Sequence, residues 1–103
     1  MIRHFVAVRF KADVSDEART AHMQALAGLS DHIDGILDFQ SRKNVSIEHP
    51  LVRGFLDVFW FDFRDLDVRN VYLEDATHQA VGAAMVEDLE GGADGVFVFD
   101  FNA

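Results

Sequence analysis

Residues Gly54–Phe63 read GFLDVFWFDF, and the fold turns on that run. In an extended chain, alternation places Phe55, Phe59, Phe61 and Phe63 on one side and Leu56, Val58 and Trp60 on the other. A strand apolar on both faces belongs in the middle of a sheet with something packed against each side. Working towards the N-terminus, Ile36–Lys43 alternates more weakly, with Leu37 and Phe39 opposed to Asp38 and Gln40, which predicts an edge strand. The intervening Asn44–Arg53 holds the only proline, Pro50, and reads as a loop. At the start of the chain, Ile2–Phe10 is dense in β-branched and aromatic residues and predicts another strand. It is followed by a helix capped by Ser15, with Asp16 and Glu17 in its first turn and Ala18, Ala21, Ala25, Leu26 and Leu29 at helical spacing.

Towards the C-terminus, Asp65 caps a short helix with Leu66, Val68, Val71 and Tyr72 inward. Asp75 caps a second, with Val81, Ala84, Met85 and Leu89 inward and Gly91-Gly92 ending it. Gly95–Phe101 closes as a fourth strand, aromatic on one side through Phe97, Phe99 and Phe101. The order β-α-β-β-α-β is the ferredoxin-like α+β arrangement, a four-stranded antiparallel sheet with both helices on one face. Two helices cannot cover both faces, and the patch left open is larger than monomers usually tolerate. A homodimer through the open sheet face, as a sandwich or a dimeric α/β barrel, is the expectation.

Composition narrows the chemistry. The 103 residues fit one domain, 1–103. With no cysteine there are no disulfides and no thiolate ligands or nucleophiles, so any chemistry falls to His, Tyr, Ser/Thr or carboxylates. A formal charge of −9 with scattered arginines argues against nucleic-acid binding. Arg3, His4 and Arg9 interrupt the apolar N-terminus, and no run approaches the length of a membrane span, so a cytoplasmic protein without membrane contact is expected. There is no Gly-rich phosphate loop and no nucleotide fingerprint, and no cofactor is expected. Asp31-His32-Ile33-Asp34 resembles a hard-metal loop faintly, with a solvated turn as the alternative reading; whether a metal binds stays open. His22 and His49 read as surface residues.

The sequence resembles the stress-responsive dimeric α/β barrel family. Ile2-Arg3-His4 and Arg9-Phe10-Lys11 bound the first strand, Val14-Ser15 starts the helix, and Lys43-Asn44-Val45-Ser46 follows the second strand. Tyr72 then precedes Asp75-Ala76-Thr77-His78-Gln79, and Val98-Phe99-Asp100-Phe101 closes the chain. The resemblance implies a ferredoxin-like fold, a homodimer and a pocket between helices and sheet; some relatives hold a cation through backbone carbonyls in the loop corresponding to Ser30–Ile36. One branch of the family, a plant polyketide cyclase, closes its product by aldol condensation with a His paired to a Tyr. The matching positions are His78 and Tyr72, with His4 on the first strand. The chain departs from that branch at Asp57, which replaces a further His, and from the common His-Pro pattern at Asp75-Ala76.

His78 lies in the first turn of a helix, where exposed amide dipoles disfavour imidazolium while Asp75 acts the other way. Tyr72 reads first as a core aromatic whose hydroxyl seeks a partner, and His4, on a face with Ile2, Val6 and Val8, first as a hydrogen-bonded core residue, with the site role second for both. With the first and third strands antiparallel, Asp57 lies roughly 10–15 Å from His4 at about 3.4 Å per residue and leaves a His4/Tyr72/His78 cluster intact. Alternatively Asp57 pairs with Arg9 or Arg3 at the dimer interface. Two functions from different classes follow: a cofactor-free enzyme moving a proton on a small, partly aromatic or carbonyl-bearing molecule, with His78 as base and Tyr72 orienting it or polarising a carbonyl, or a non-catalytic binding or structural dimer. A cofactor-independent monooxygenase is a more distant third.

Overall fold

A computed structural model describes residues 1–103. Strand β1 (Ile2–Val8) leads into helix α1 (Asp16–Ala27), and β2 (Ile36–Lys43) is followed by one helical turn, α2 (His49–Val52). Strand β3 (Asp57–Phe63), helices α3 (Leu66–Glu74) and α4 (Ala76–Glu87), and strand β4 (Val96–Asn102) complete the chain. The sheet runs β2-β3-β1-β4 with every pairing antiparallel, so the doubly apolar run is central and the weakly alternating one is an edge. This is the ferredoxin-like fold.

Each helix begins as capping chemistry requires. The side chains of Ser15, Asp65 and Asp75 accept from the backbone N–H of Ala18, Val68 and His78 at 3.1, 3.0 and 2.8 Å, satisfying donors that the first helical turn leaves free. Gly35, at φ +93°, turns the chain into β2 where a Cβ would meet Val68 at 2.5 Å; only glycine meets both demands.

Registration assigns the two sheet faces. Ile2, His4, Val6 and Val8 lie beside Phe63, Phe61, Phe59 and Asp57 on the face covered by the helices, where Phe61 and Phe63 are 0% exposed. The other face carries Phe5 between Trp60 and Phe99, with ring centroids 6.4 and 4.8 Å away. The α2 turn flanks it only at the Ala7 end, and Phe97, Phe99 and Phe101 remain 56, 44 and 42% exposed.

Several expected boundaries and orientations are corrected. The first strand stops at Val8, with Phe10 making an isolated bridge to Leu89. The third begins at Asp57, because Arg53 and Gly54 take left-handed backbone angles that break the extended run, and the preceding loop contains α2 with Pro50 in its first turn. In α3 only Val68 and Tyr72 are buried; Leu66 and Val71 face outward. In α4 Met85 is buried and Val81 half-buried, but Ala84 is exposed; the helix ends at Glu87, so buried Leu89 lies beyond it. Ala21 and Ala25 of α1 are exposed, its buried contact being Leu26. The last strand begins at Val96, one residue after a 3-10 turn ending at Gly95. No helix is long and apolar enough to cross a membrane.

Candidate functional site

A cavity of about 260 Å3 lies between the covered sheet face and the helices. Val6, Val8, Phe59, Val96 and Val98 line it from the strands, and Leu26, Leu73, Gly82, Met85 and Val86 from the helices. The polar side chains in this lining are His4, Tyr72 and His78. The chain brings them together by two routes. Position 4 has the inward parity of β1, and the break at Asp75 between α3 and α4 turns Tyr72, near the end of one helix, towards His78 in the first turn of the next. The rings of Tyr72 and His78 stack with centroids 3.7 Å apart, and His4 meets Tyr72 edge-on at 5.4 Å.

Two residues outside the sequence reading of the site complete it. Asp100 lies opposite His4 in the β1/β4 register, and His4 Nδ1 sits 2.7 Å from its Oδ1. Arg69, on α3, donates from Nη1 to Asp100 Oδ2 at 2.6 Å. Burial opposes the charge on Asp100, but the hydrogen bonds from Arg69 and His4 outweigh it and hold its carboxyl below the usual range. Burial pushes the His4 imidazolium pKa down, against the raising effect of Asp100 and with the help of Arg69, so the ring is neutral near pH 7. The charged pair is therefore Arg69 with Asp100. A carboxylate only accepts, which puts the His4 proton on Nδ1 and leaves a lone pair on Nε2.

Burial likewise lowers the pKa of His78, opposed by the Tyr72 backbone carbonyl; a charged His4 would lower it further, and Asp75 raises it. His78 Nδ1 is buried and makes no hydrogen bond of normal geometry. Burial and the nearby Asp100 charge push the Tyr72 phenol above its ordinary value, so it is a protonated donor at neutral pH.

The other candidate residues lie elsewhere. Asp57, 3% exposed, is on the helix-covered face and is paired by Arg19 and Lys43, not by Arg3 or Arg9. Arg3 bonds Asp62 in a two-pronged pair at 2.8 and 3.0 Å. His22 is half-buried, bonding Asp88 at 2.6 Å and stacking on Phe10, because the expected solvent-facing side of α1 meets the turn after α4. His49, in α2, is exposed as expected. In Asp31–Asp34, Ile33 points into the core and His32 Nε2 bonds Asp75 at 2.7 Å; no three His, Asp or Glu side chains gather there or elsewhere in a metal-ligating group.

The chain belongs to the stress-responsive A/B barrel domain family, whose sequence profile matches residues 2–103. Among solved structures, it is similar to an Arabidopsis thaliana protein at 25% identity, with TM-score 0.88 over 100% of this chain and 95% of that one. A dimeric ferredoxin-like protein of unknown function from Jannaschia sp. CCS1 matches at 24% identity and TM-score 0.87, over 99% and 98% of the two chains. A hydroxynitrile lyase from Passiflora edulis shares the fold at 12% identity and TM-score 0.82, over 97% and 90%. None of the curated proteins compared matches the chain.

Proposed function

We propose that this member of the stress-responsive A/B barrel family binds a small neutral carbonyl compound in the cavity and moves a proton on it without a cofactor. The supporting observation is that the side chains of His4, Tyr72 and His78 line one apolar cavity, where His78 Nδ1 is buried without a hydrogen-bond partner. Polar groups held in such surroundings without partners are what a substrate oxygen or acidic C–H would engage.

Of the two imidazoles, His4 is the better base, because Asp100 fixes its tautomer and stabilises the imidazolium that forms on accepting a proton. His4 Nε2 removes a proton from the carbon next to the carbonyl, the C–H electron pair moves into the enolate, and Tyr72 donates a hydrogen bond to the oxygen that gains charge. Returning the proton to the substrate regenerates the neutral ring. His78, stacked on Tyr72, serves as a second proton carrier. A protein of the same fold, from Passiflora edulis, is a hydroxynitrile lyase, so the fold hosts an enzyme in at least one case.

The exposed aromatic face then belongs to a second copy. Phe97, Phe99 and Phe101 form a row beside Phe5 and Trp60, and solved relatives of the same fold are described as dimeric.

The proton-transfer reading is tested by incubating the protein with acetophenone in D2O and following deuterium entering the methyl group by NMR. Incorporation should exceed the buffer rate and fall about 100-fold in His4→Ala, the lower end of what a positioned base supplies. Binding of acetophenone without exchange would leave a non-catalytic binding dimer as the better account.

A further inference from the structure

Gly82 is a glycine that neither backbone angle nor packing requires. It sits in the seventh position of the twelve-residue α4, its φ is not in the left-handed region, and a Cβ built on it meets nothing within 4 Å. Gly35 differs on both counts, with φ +93° and Val68 at 2.5 Å. Within a helix glycine is less stable than alanine, so the bare position lowers stability and returns no packing. What it does return is space. Residues 78, 82, 85 and 86 recur at the spacing of one helix face, and all four line the cavity. A side chain on a helix covers the turn N-terminal to its own Cα. Any side chain at 82 would therefore lean over His78 and fill the cavity beside it.

We infer that Gly82 sets which molecules the cavity admits, leaving room beside His78 for the ring of a neutral aryl ketone or aldehyde. This rests on the proposed carbonyl chemistry and adds the substrate class. Size supports it, since an apolar cavity of about 150 Å3 holds benzene, so about 260 Å3 takes one aromatic ring with a short carbonyl substituent. The lining supports it too, because ten of thirteen residues are hydrophobic, with no Lys or Arg among them to offset the charge of an anionic ligand.

The test compares Gly82→Ala and Gly82→Leu with the unaltered protein, using acetophenone and acetone, which share a methyl ketone and differ by the ring. Thermal unfolding reports the fold, and Gly82→Ala should melt a few degrees higher. The ratio of acetophenone to acetone exchange rates should fall at least tenfold in Gly82→Leu and by less in Gly82→Ala. An unchanged ratio in a folded Gly82→Leu protein overturns the inference while leaving the proton-transfer reading intact. If the unaltered protein binds acetophenone without exchanging it, that reading fails alone, and the inference is then judged on affinities, where Gly82→Leu should bind acetophenone at least tenfold more weakly. If the unaltered protein neither binds nor exchanges acetophenone, both fall. Should Gly82→Leu fail to fold, Gly82→Ala carries the test, and an unaltered ratio or affinity in it overturns the inference.

Discussion

The two faces of the sheet carry nearly the same aromatic wealth and end in opposite states. On the covered face, Phe59, Phe61 and Phe63 are almost fully removed from solvent, and the sheet positions there include one histidine, His4. On the open face, Phe5, Trp60 and Phe99 stack in a band that solvent still reaches; Arg3 and Arg42 each lie 5.6 Å from the Trp60 ring, and Arg3 is neutralised by Asp62. The difference teaches how to read polar groups in apolar surroundings. Arg3 and Asp62 answer each other in a two-pronged ion pair, so they complete a surface. The covered face gathers two imidazoles and a phenol around one cavity and leaves His78 Nδ1 buried without a partner, a state that suits a ligand better than a core.

Breaking the open face should have the largest effect. The double substitution Phe97→Asp and Phe99→Asp places two carboxylates per protomer in the proposed apolar interface, and uncompensated burial of such charges costs several kcal/mol. Light scattering should then show monomers where the unaltered protein gives dimers, with association weakened about 1,000-fold or more. A dimer that persists at micromolar concentration would mean that another surface joins the protomers. The covered face gives the next largest effect. Phe61→Ala removes a ring that is 0% exposed and should lower unfolding stability by about 3–5 kcal/mol in a denaturant titration.

A smaller effect sharpens the comparison through pH. His4 and His78 both have pKa values lowered by burial in the folded protein. The unfolded chain then takes up protons that the folded one refuses, so stability is complete above the ordinary histidine value of 6.5 and declines as pH falls below it. Denaturation midpoints measured from pH 7.5 down to 5 should decrease, and the decrease should be shallower in His78→Phe. A profile equally steep in that variant would show that His78 is not held neutral by the fold.

Alternation and capping, which are local signals, foretold the central third strand, the edge position of the second and the helix caps, whereas the grouping of His4, Tyr72 and His78 came from the family resemblance. The Asp57 partners escaped the sequence reading: Arg19 comes from α1 and Lys43 from β2, and their approach depends on tertiary packing. Asp100 was legible in principle, as the one carboxylate at inward parity in Val96–Asn102, and antiparallel pairing sets it beside His4. Arg69 was not legible, since a polar residue on a short helix gives no sign of reaching a distant edge strand. The outward turn of Leu66 and Val71 shows the limit of periodicity in a nine-residue helix, where two apolar stripes compete and packing chooses one.

The most direct test of the division between the faces is to titrate acetophenone into the protein and follow the imidazole resonances of His4 and His78 by NMR together with the Trp60 indole resonance. Saturable shifts in both imidazoles, with the indole unmoved, are the predicted result. Shifts confined to Trp60, or imidazoles that stay still while acetophenone binds, would contradict the account by placing the ligand outside the helix-covered cavity.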